Sequence, residues 1–286
     1  MGAFSILNNL AGLNAQNQLT INNQHLSQTL LRLSSGKRIN SGADDAAGLQ
    51  IADSLRANIR AMDQAVRNAN DAMGVAQIAD GALGEISNIL TRVITLAEES
   101  ATETVDSVGR ASLQAEVNQI QGEIARIAAQ TNFNGVGIFT ATGINGALSV
   151  FVGDTASTSS IAVTINTITT NGSLVTNLGG QDLSGINIGT QAGAVAALGA
   201  IRNALAAVSS NRADIGAGIN RLQNAVAVIQ NQSQNTQAAE STIRDANIAQ
   251  EISNLTKYQI LAQSGLAALS QANANGTLVL SLLQGR

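Results

Sequence analysis

Residues 52–97 read ADSLRANIRAMDQAVRNANDAMGVAQIADGALGEISNILTRVITLA and carry the clearest structural signal in the chain. Apolar side chains recur in two registers, at steps that alternate between three and four residues. The first register holds Ala52, Ile59, Val66, Met73, Asp80, Ser87 and Ile94, and the second holds Leu55, Met62, Ala69, Ala76, Leu83, Leu90 and Ala97. Only Asp80 and Ser87 interrupt the pattern. This spacing is typical of a coiled coil and predicts a helix about 70 Å long.

Shorter apolar stripes at helical spacing lie on both sides of this segment. They span residues 6–33, 113–127 and 248–269, and also 201–229, where Arg212 interrupts the pattern. The 286-residue chain contains no proline, so no helix is broken by the loss of a backbone donor. The pattern therefore predicts a mainly α-helical protein.

The region between residues 131 and 193 has a different composition. It is rich in Gly, Thr, Ser and Asn and contains β-branched runs such as IAVTI at 161–165, which predict short strands and turns. We therefore expect a long antiparallel helical hairpin, a coiled-coil rod with a small β-rich insert at its tip, and paired N- and C-terminal helices. The corresponding domains are residues 1–44 plus 245–286, residues 45–130 plus 194–244, and residues 131–193.

Both ends of the chain lack ordinary charges. Residues 1–31 and 258–285 contain no Asp, Glu, Lys or Arg. Helices that face water usually keep such side chains, so we expect these ends to be buried, and we expect another copy of the chain to bury them. The side chains predicted to pack between copies are Ile6, Leu10, Leu13, Leu26, Leu30, Leu33, Ile252, Leu255, Leu266, Leu269 and Leu280.

Composition excludes several classes of function. Charged residues make up 12% of the chain, aromatic residues 2%, and the net charge is -4, so nucleic acid is not an expected partner. Cysteine is absent, which rules out disulfides and thiolate metal sites. The apolar tail at 278–283 is far shorter than the ~20 residues that span a bilayer, and the first cation is Arg32, so neither membrane insertion nor a signal peptide is predicted.

Candidate chemical groups favour structural roles. His25 is the only histidine and has no carboxylate near it in sequence, which argues against a metal site. Asp44 and Asp45 are adjacent, but their position suits the positive end of a helix better than acid–base catalysis. Ser and Thr residues at 155–160 could accept a sugar, although a solvated turn is favoured. We expect no cofactor, no metal and no enzymatic activity.

Several motifs resemble one family. Residues 31–49, LRLSSGKRINSGADDAAGL, are similar to the N-terminal signature of bacterial flagellin, and QAN at 271–273 with VLSLL at 279–283 resembles its C-terminal signature. The segments NAND at 68–71 and NFNG at 132–135 fit as well. The resemblance covers roughly residues 1–140 and 200–286, and the insert resembles nothing specific.

The resemblance implies a subunit of the flagellar filament, a helical polymer for motility. The terminal helices would form its inner tube and the rod its outer tube. Export would occur unfolded through the flagellar secretion channel. The implied partners are an export chaperone, the filament cap, junction proteins and innate-immune receptors, and the positions that match the receptor-binding patch are Arg92, Leu96, Glu116 and Gln119.

Two alternatives remain open at this point. A hook–filament junction protein shares both terminal signatures, although the segment from Asn68 to Glu99 fits filament flagellin well. A secreted coiled-coil adhesin would instead form a stable oligomer with a small, defined number of chains. The adhesin alternative therefore differs from a filament subunit in its assembly, because it predicts a closed oligomer and not an open polymer.

Overall fold

The computed structural model describes residues 9–140, 143–144, 146–153, 160–171, 174–178 and 182–283. The helices are α1 (Leu10–Ser35), α2 (Ala46–Ala101), α3 (Ser107–Gln130), α4 (Gln191–Arg244) and α5 (Ile248–Leu283). The strands are β1 (Asn132–Phe133), β2 (Val136–Gly137), β3 (Gly146–Phe151), β4 (Ser160–Ile165), β5 (Ile168–Asn171) and β6 (Leu174–Leu178). The protein is mainly helical with a small antiparallel β insert, which confirms the predicted fold class.

Local hydrogen bonds fix the ends of the first two helices. Asn9 accepts the Gly12 N–H at 2.9 Å and caps α1, and Asp45 accepts the Gly48 N–H at 2.8 Å at the start of α2. Such bonds satisfy N–H groups that have no partner inside the helix. Helix α1 is followed by Gly36, whose φ of 69° is the left-handed conformation that glycine adopts without strain.

The chain forms two compact units, residues 1–57 with 235–286 and residues 58–234. The smaller unit contains α1 and α5, which pack on each other, together with the first residues of α2 and the last residues of α4. The larger unit contains the remainder of α2 and α4, helix α3 and the strands.

Helix α2 buries one stripe in the core of the larger unit. Its members, at steps of three and four, are Met62, Ala65, Ala69, Ala72, Ala76, Ala79, Leu83, Ile86, Leu90, Val93, Ala97 and Ser100. From Met62 onward the second predicted register is confirmed. The first is wrong in this unit, because Val66, Met73 and Ile94 are only partly buried. The buried register lies one residue before the predicted one. It contains several alanines, which are less apolar than Val66 and Met73 and so made this register harder to recognise.

Helix α4 supplies the matching stripe. Its buried members are Ala194, Ala197, Ile201, Ala204, Val208, Asn211, Ile215, Gly218, Leu222 and Ile229. Two ion pairs cross between the helices, Arg202 with Glu98 at 3.3 Å and Arg212 with Asp80 at 2.8 Å. Residue numbers rise along α4 as they fall along α2, so the two helices run antiparallel, as the predicted hairpin requires.

The strands pair antiparallel in sequence order, β1 with β2, β3 with β4 and β5 with β6. Strand β4 packs closely on α4, since a Cβ at Gly218 would come within 2.6 Å of Val163 Cγ1. The segment before α4 is held on α3 by two glutamines. Gln121 Nε2 donates to the Leu183 carbonyl at 2.7 Å, and Gln114 Oε1 accepts the Ile188 N–H at 2.6 Å.

Candidate functional site

Helices α1 and α5 meet along a narrow antiparallel seam. Asn9 Nδ2 donates to the Ala272 carbonyl at 3.1 Å near one end of the seam, and Asn22 Nδ2 donates to the Tyr258 carbonyl at 2.9 Å further along. The buried and half-buried seam positions are Gly12, Ala15, Leu19, Asn22, Leu26, Thr29 and Leu33 on α1, and Glu251, Leu255, Tyr258, Ala262, Gly265, Leu269 and Ala272 on α5. Both sets follow the three-and-four spacing of a coiled coil.

The seam leaves much of the apolar surface of both helices uncovered. Leu10 is 66% exposed and Leu266 is 57% exposed. The other exposed large apolar side chains are Leu13, Ile21, Leu30 and Leu31 on α1 and Ile248, Ile252, Ile260 and Leu261 on α5. Scattered apolar residues are ordinary on protein surfaces, whereas their concentration on two adjacent helices makes this surface the candidate site.

The structure divides the side chains that the sequence predicted to pack between copies. Those half-buried in the seam are Leu26, Leu33, Leu255 and Leu269. Those exposed in the single chain are Leu10, Leu13, Leu30, Ile252 and Leu266. Leu280 lies in α5, and Ile6 lies outside the described residues. The first group packs within the chain, whereas the second is exposed in the single chain.

A buried ionic cluster lies at the charged end of the seam. Glu251 is 7% exposed, and its Oε1 lies 3.6 Å from Nη1 of Arg32. Arg32 Nη2 also lies 3.9 Å from Oδ1 of Asp44. Hydrogen bonds to the Asp44 carboxylate lower its pKa to about 2. The largest effect comes from the side-chain amide of Gln28, and smaller ones come from the backbone N–H groups of Ser41 and Asn40. This carboxylate is therefore ionised at all ordinary pH values.

The sequence analysis did not identify this cluster as a site. One signal could have found it, because Arg32 follows the first uncharged end directly and Glu251 is the last acidic residue before the second. Charges retained at the borders of two otherwise uncharged segments are good candidates for partners. The structure also shows Asp44 and Asp45 in separate roles, the first in the cluster and the second as the cap of α2.

The linkers after α1 and before α5 are joined through their backbones. The Arg38 N–H donates to the Arg244 carbonyl at 2.7 Å, and the Ala246 N–H donates to the Gly36 carbonyl at 3.0 Å. Arg38 Nη2 adds a bond to the Ile243 carbonyl at 2.7 Å. These bonds tie the ends of the helix pair together within the smaller unit.

The positions that match the receptor-binding patch lie on α2 and α3. Arg92 Nη2 and Glu116 Oε1 form an ion pair at 2.9 Å on the surface, and Gln119 is exposed one turn further along α3. Leu96 is 1% exposed, so its side chain belongs to the core of the larger unit. The surface part of this patch is therefore formed by Arg92, Glu116 and Gln119.

Other candidate groups are distributed without forming a chemical site. His25 stacks on Tyr258 with ring centroids 5.4 Å apart and an angle of 17° between the rings. Across the described ranges, no three His, Asp or Glu side chains come together as a metal site would require. The Ser and Thr residues considered for sugar attachment at 155–159 lie outside the described residues.

These features define a helical structural protein with apolar terminal helices that are only half covered. Comparison with known families narrows the class. The model of the bacterial flagellin N-terminal helical region matches residues 6–143, and that of the bacterial flagellin C-terminal helical region matches residues 198–283. The chain belongs to the bacterial flagellin family.

Individual relatives agree over nearly the full length. A flagellar filament 30.7 kDa core protein from Treponema maltophilum is 36% identical, with 97% of this chain and 99% of the relative covered. A flagellin from Halalkalibacterium halodurans is 38% identical, with 98% and 99% covered. A solved structure of a proposed flagellar hook-associated protein from Vibrio parahaemolyticus shares the fold, with a TM-score of 0.56 at 16% identity over 71% of this chain and all of that one.

The chain is accordingly a structural subunit of the bacterial flagellar filament, an extracellular homopolymer. Self-polymerisation follows from the same relatives. The hook–filament junction and adhesin alternatives receive no support from them.

Proposed function

We propose that the exposed apolar faces of α1 and α5 form the contact layer between copies at the inner core of the filament. The observation that carries this proposal is the contrast along the seam, where one row of apolar side chains is paired within the chain and a second row remains exposed. Burial of the second row against neighbouring copies would stabilise the assembly by about 25 cal/mol for each Å² of apolar area removed from water. Head-to-tail addition of copies then yields an open polymer, because the contact does not close on itself.

Helix α5 is suited to burial on more than one side. Successive residues turn about 100° around a helix, so Ile260, Leu261 and Leu266 face three different directions. All three are exposed in the single chain. A helix that is apolar on all sides is normally enclosed by protein. We infer that several copies surround each α5.

The polar side chains of the two helices are compatible with this packing. Helix α1 carries Asn and Gln residues rather than charges on its exposed positions, among them Asn14, Asn17 and Gln24. Amides can donate and accept hydrogen bonds across an interface, and they avoid the desolvation cost of a charge. The inner core that we propose comprises residues 1–44 plus 245–286, the outer rod residues 45–130 plus 194–244, and the insert residues 131–193.

Finer partners follow from the family resemblance and are part of the proposal. The subunit is exported unfolded, held beforehand by an export chaperone that covers its C-terminal helix, and is inserted at the growing tip beneath the filament cap, beyond the junction proteins. Innate-immune receptors would contact the rod through Arg92, Glu116 and Gln119. Leu96 would not touch the receptor, and its buried side chain would hold α2 in position below this surface.

The chain acts by assembly rather than by catalysis in this proposal. Helix α4 is long and apolar enough to cross a membrane by length and composition. Its buried stripe of alternating Ala and larger side chains packs in the core of the larger unit, which accounts for that composition. We therefore propose no membrane insertion.

Electron microscopy of the purified protein tests the proposal. Monomer in dilute buffer is salted out with ammonium sulfate and imaged after negative staining, with analytical ultracentrifugation of the same samples. Long helical filaments that form only above a critical concentration are expected. A closed oligomer of a few chains, independent of salt and concentration, would contradict open polymerisation and favour the adhesin alternative.

A further inference from the structure

The sequence contains four Asn–Gly pairs, at residues 134–135, 145–146, 171–172 and 275–276. An asparagine in this pair is prone to lose its amide, because glycine has no side chain to keep its backbone nitrogen away from the amide carbon. The second and third pairs each include a residue outside the described ranges. The structure places the first and the fourth pair in very different surroundings.

Asn134 and Gly135 form the two-residue turn between β1 and β2. Their φ angles are 52° and 80°, and the flanking Phe133 and Val136 are paired across the strands. Such angles are those of a type I′ turn, in which ψ of the first residue is about 30°. With that ψ the Gly135 nitrogen points away from the Asn134 side chain, so the turn protects this amide.

Asn275 lies on α5, close to the seam with α1. Its side chain is exposed, and its Oδ1 accepts a hydrogen bond from Gln271 Nε2 at 3.3 Å. In an α-helix the N–H of Gly276 donates to the carbonyl of Ala272. The same Ala272 carbonyl accepts a hydrogen bond from Asn9 Nδ2 of α1 at 3.1 Å. The closed seam therefore supports the helical turn that occupies the Gly276 nitrogen.

We propose that Asn275 is a deamidation site that the α1–α5 seam protects, and that its conversion excludes a free subunit from assembly. This inference rests on the proposed contact layer of α1 and α5. It adds a chemical limit on the time that a subunit can remain outside the filament.

The reaction needs only the chain and water. When the seam and the helix open at this point, the Gly276 nitrogen attacks the side-chain amide carbon of Asn275 and closes a five-membered succinimide ring. The attacking nitrogen gives up its proton through solvent, and the amide nitrogen gains one and leaves as ammonia. Water then opens the ring to aspartate or isoaspartate, so one water is consumed for each ammonia released.

The product is poorly suited to the contact layer. Residues 258–285 contain no Asp, Glu, Lys or Arg, and an acid at Asn275 would add a carboxylate to that segment. Burial of an unpaired carboxylate between copies is costly. Isoaspartate adds a second defect, because its main chain runs through the side-chain carbon and is one atom longer. The hydrogen bonds of the helix then lose their spacing of four residues.

The rate of the reaction depends on how often the site opens. A reaction that needs an open segment follows the population of the open state when opening and closing are faster than the chemistry. Neighbouring copies that bind the closed helix pair lower this population. Free subunits therefore lose the amide of Asn275 with time, whereas assembled subunits keep it.

The test compares the full chain kept below and above its critical concentration in the same mildly alkaline buffer. Mass spectrometry of proteolytic peptides measures amide loss at Asn275, with Asn134 as the internal reference. Loss at Asn275 should be at least about tenfold slower in filaments than in the free chain, and Asn134 should stay intact in both. Retention of the Asn275 amide in aged free chain would overturn the proposal, and so would equal loss in the two states.

A substitution in α1 tests the role of the seam. Asn9→Ser keeps an oxygen that can cap α1 but removes the donor to the Ala272 carbonyl. Loss at Asn275 in the free chain should become about two- to tenfold faster, which corresponds to one hydrogen bond. Asn17→Ala is the control, since Asn17 is exposed on the same helix, and it should leave the rate unchanged. Equal rates in Asn9→Ser and wild type would refute protection by the seam.

Assembly measurements separate this inference from the proposed function. Asn275→Asp should raise the critical concentration about tenfold, whereas Asn275→Gln, which keeps an amide, should assemble as wild type does. Normal assembly of Asn275→Asp, or an equal defect in both variants, would overturn the exclusion of converted subunits and leave the contact layer intact. Absence of filaments from fresh wild-type protein would overturn the contact layer and the inference together.

Discussion

Arg212 and Asp80 form an ion pair across α4 and α2, with Nε of the arginine 2.8 Å from Oδ1 of the aspartate. Each of these residues interrupts an apolar stripe in its own segment of sequence. In the structure both interruptions lie at the edge of the core, where the two side chains meet. The buried stripes that pack together lie beside this pair.

The Asp80–Arg212 pair should contribute little to stability. Its side chains are 40% and 42% exposed, and pairs exposed to this degree contribute about 0.2–1 kcal/mol. A double-mutant cycle with Asp80→Ala and Arg212→Ala, followed by urea unfolding of the full chain, should give a coupling free energy in that range. A coupling well above it would show that the pair anchors the two helices.

The corrected register of α2 can be tested with two isoleucines on one helix. Ile86 is 0% exposed, whereas Ile78 is 41% exposed. Ile86→Ala should lower the free energy of unfolding by about 2–5 kcal/mol because it leaves a cavity in the core. Ile78→Ala is the matched control and should cost less than about 1 kcal/mol. Equal losses in urea denaturation would contradict the assigned stripe.

Two glycines of α4 should respond to alanine with opposite signs. At Gly216 a Cβ meets nothing within 4 Å, so Gly216→Ala should stabilise the unit by about 0.5–1 kcal/mol through helix propensity. At Gly218 a Cβ would meet Val163, and overpacking should outweigh that gain by about 1–3 kcal/mol. Thermal melts of both variants measure the sign of each stability change. Gly218→Ala/Val163→Ala should recover part of the loss if the clash is its cause.

Acid should weaken the helix pair through Asp44. The pKa of this carboxyl is lowered from 3.8 to about 2 by its hydrogen bonds, so its stabilisation is present above about pH 4 and is lost as the pH falls toward 2. Asp44→Asn should remove about 1–2 kcal/mol at pH 5 and much less at pH 2, where the carboxyl of the folded chain is already half protonated. Hydrogen exchange of α1 amides at several pH values measures this difference. The exposed Asp63, replaced by Asn, is the control and should show no such change.

A charge on the exposed face of α5 should block assembly and spare the subunit. Leu266→Asp should raise the critical concentration at least tenfold, by about 1.4 kcal/mol or more, because an unpaired carboxylate would be buried between copies. Helix content should be unchanged, since Leu266 is largely exposed in the free chain. Leu266→Asn is the control, because it removes the same apolar side chain without adding a charge, and it should raise the critical concentration less. Wild-type filament yield from Leu266→Asp would count against the contact layer.

The helices and the small β insert could be predicted from the sequence because periodicity reports them directly. The choice between neighbouring registers could not, since the true stripe of α2 contains Ala65, Ala72 and Ala79, which stand out less than Met73 or Ile94. The same limit applies to the terminal helices. Apolar spacing predicted that Leu26 and Leu266 would be buried, but the covering surface depends on how α1 and α5 are aligned.

Contacts between residues that are distant in sequence could not be predicted either. Arg32 and Glu251 are 219 positions apart, and nothing local indicates that they meet. Their pairing depends on the antiparallel alignment that Asn22 and Tyr258 also fix. A sequence pattern constrains one helix at a time, whereas these contacts depend on two helices and the loops that join them.

The backbone bonds that join the two linkers have a mechanical consequence. A rotating filament must carry torque through every subunit, and each linker alone would be a pliable point. Arg38 is hydrogen-bonded to Arg244, and Ala246 to Gly36. A torsional load on α1 is therefore transmitted to the linker that precedes α5. Two flexible linkers that are hydrogen-bonded to each other resist torsion as one stiffer segment.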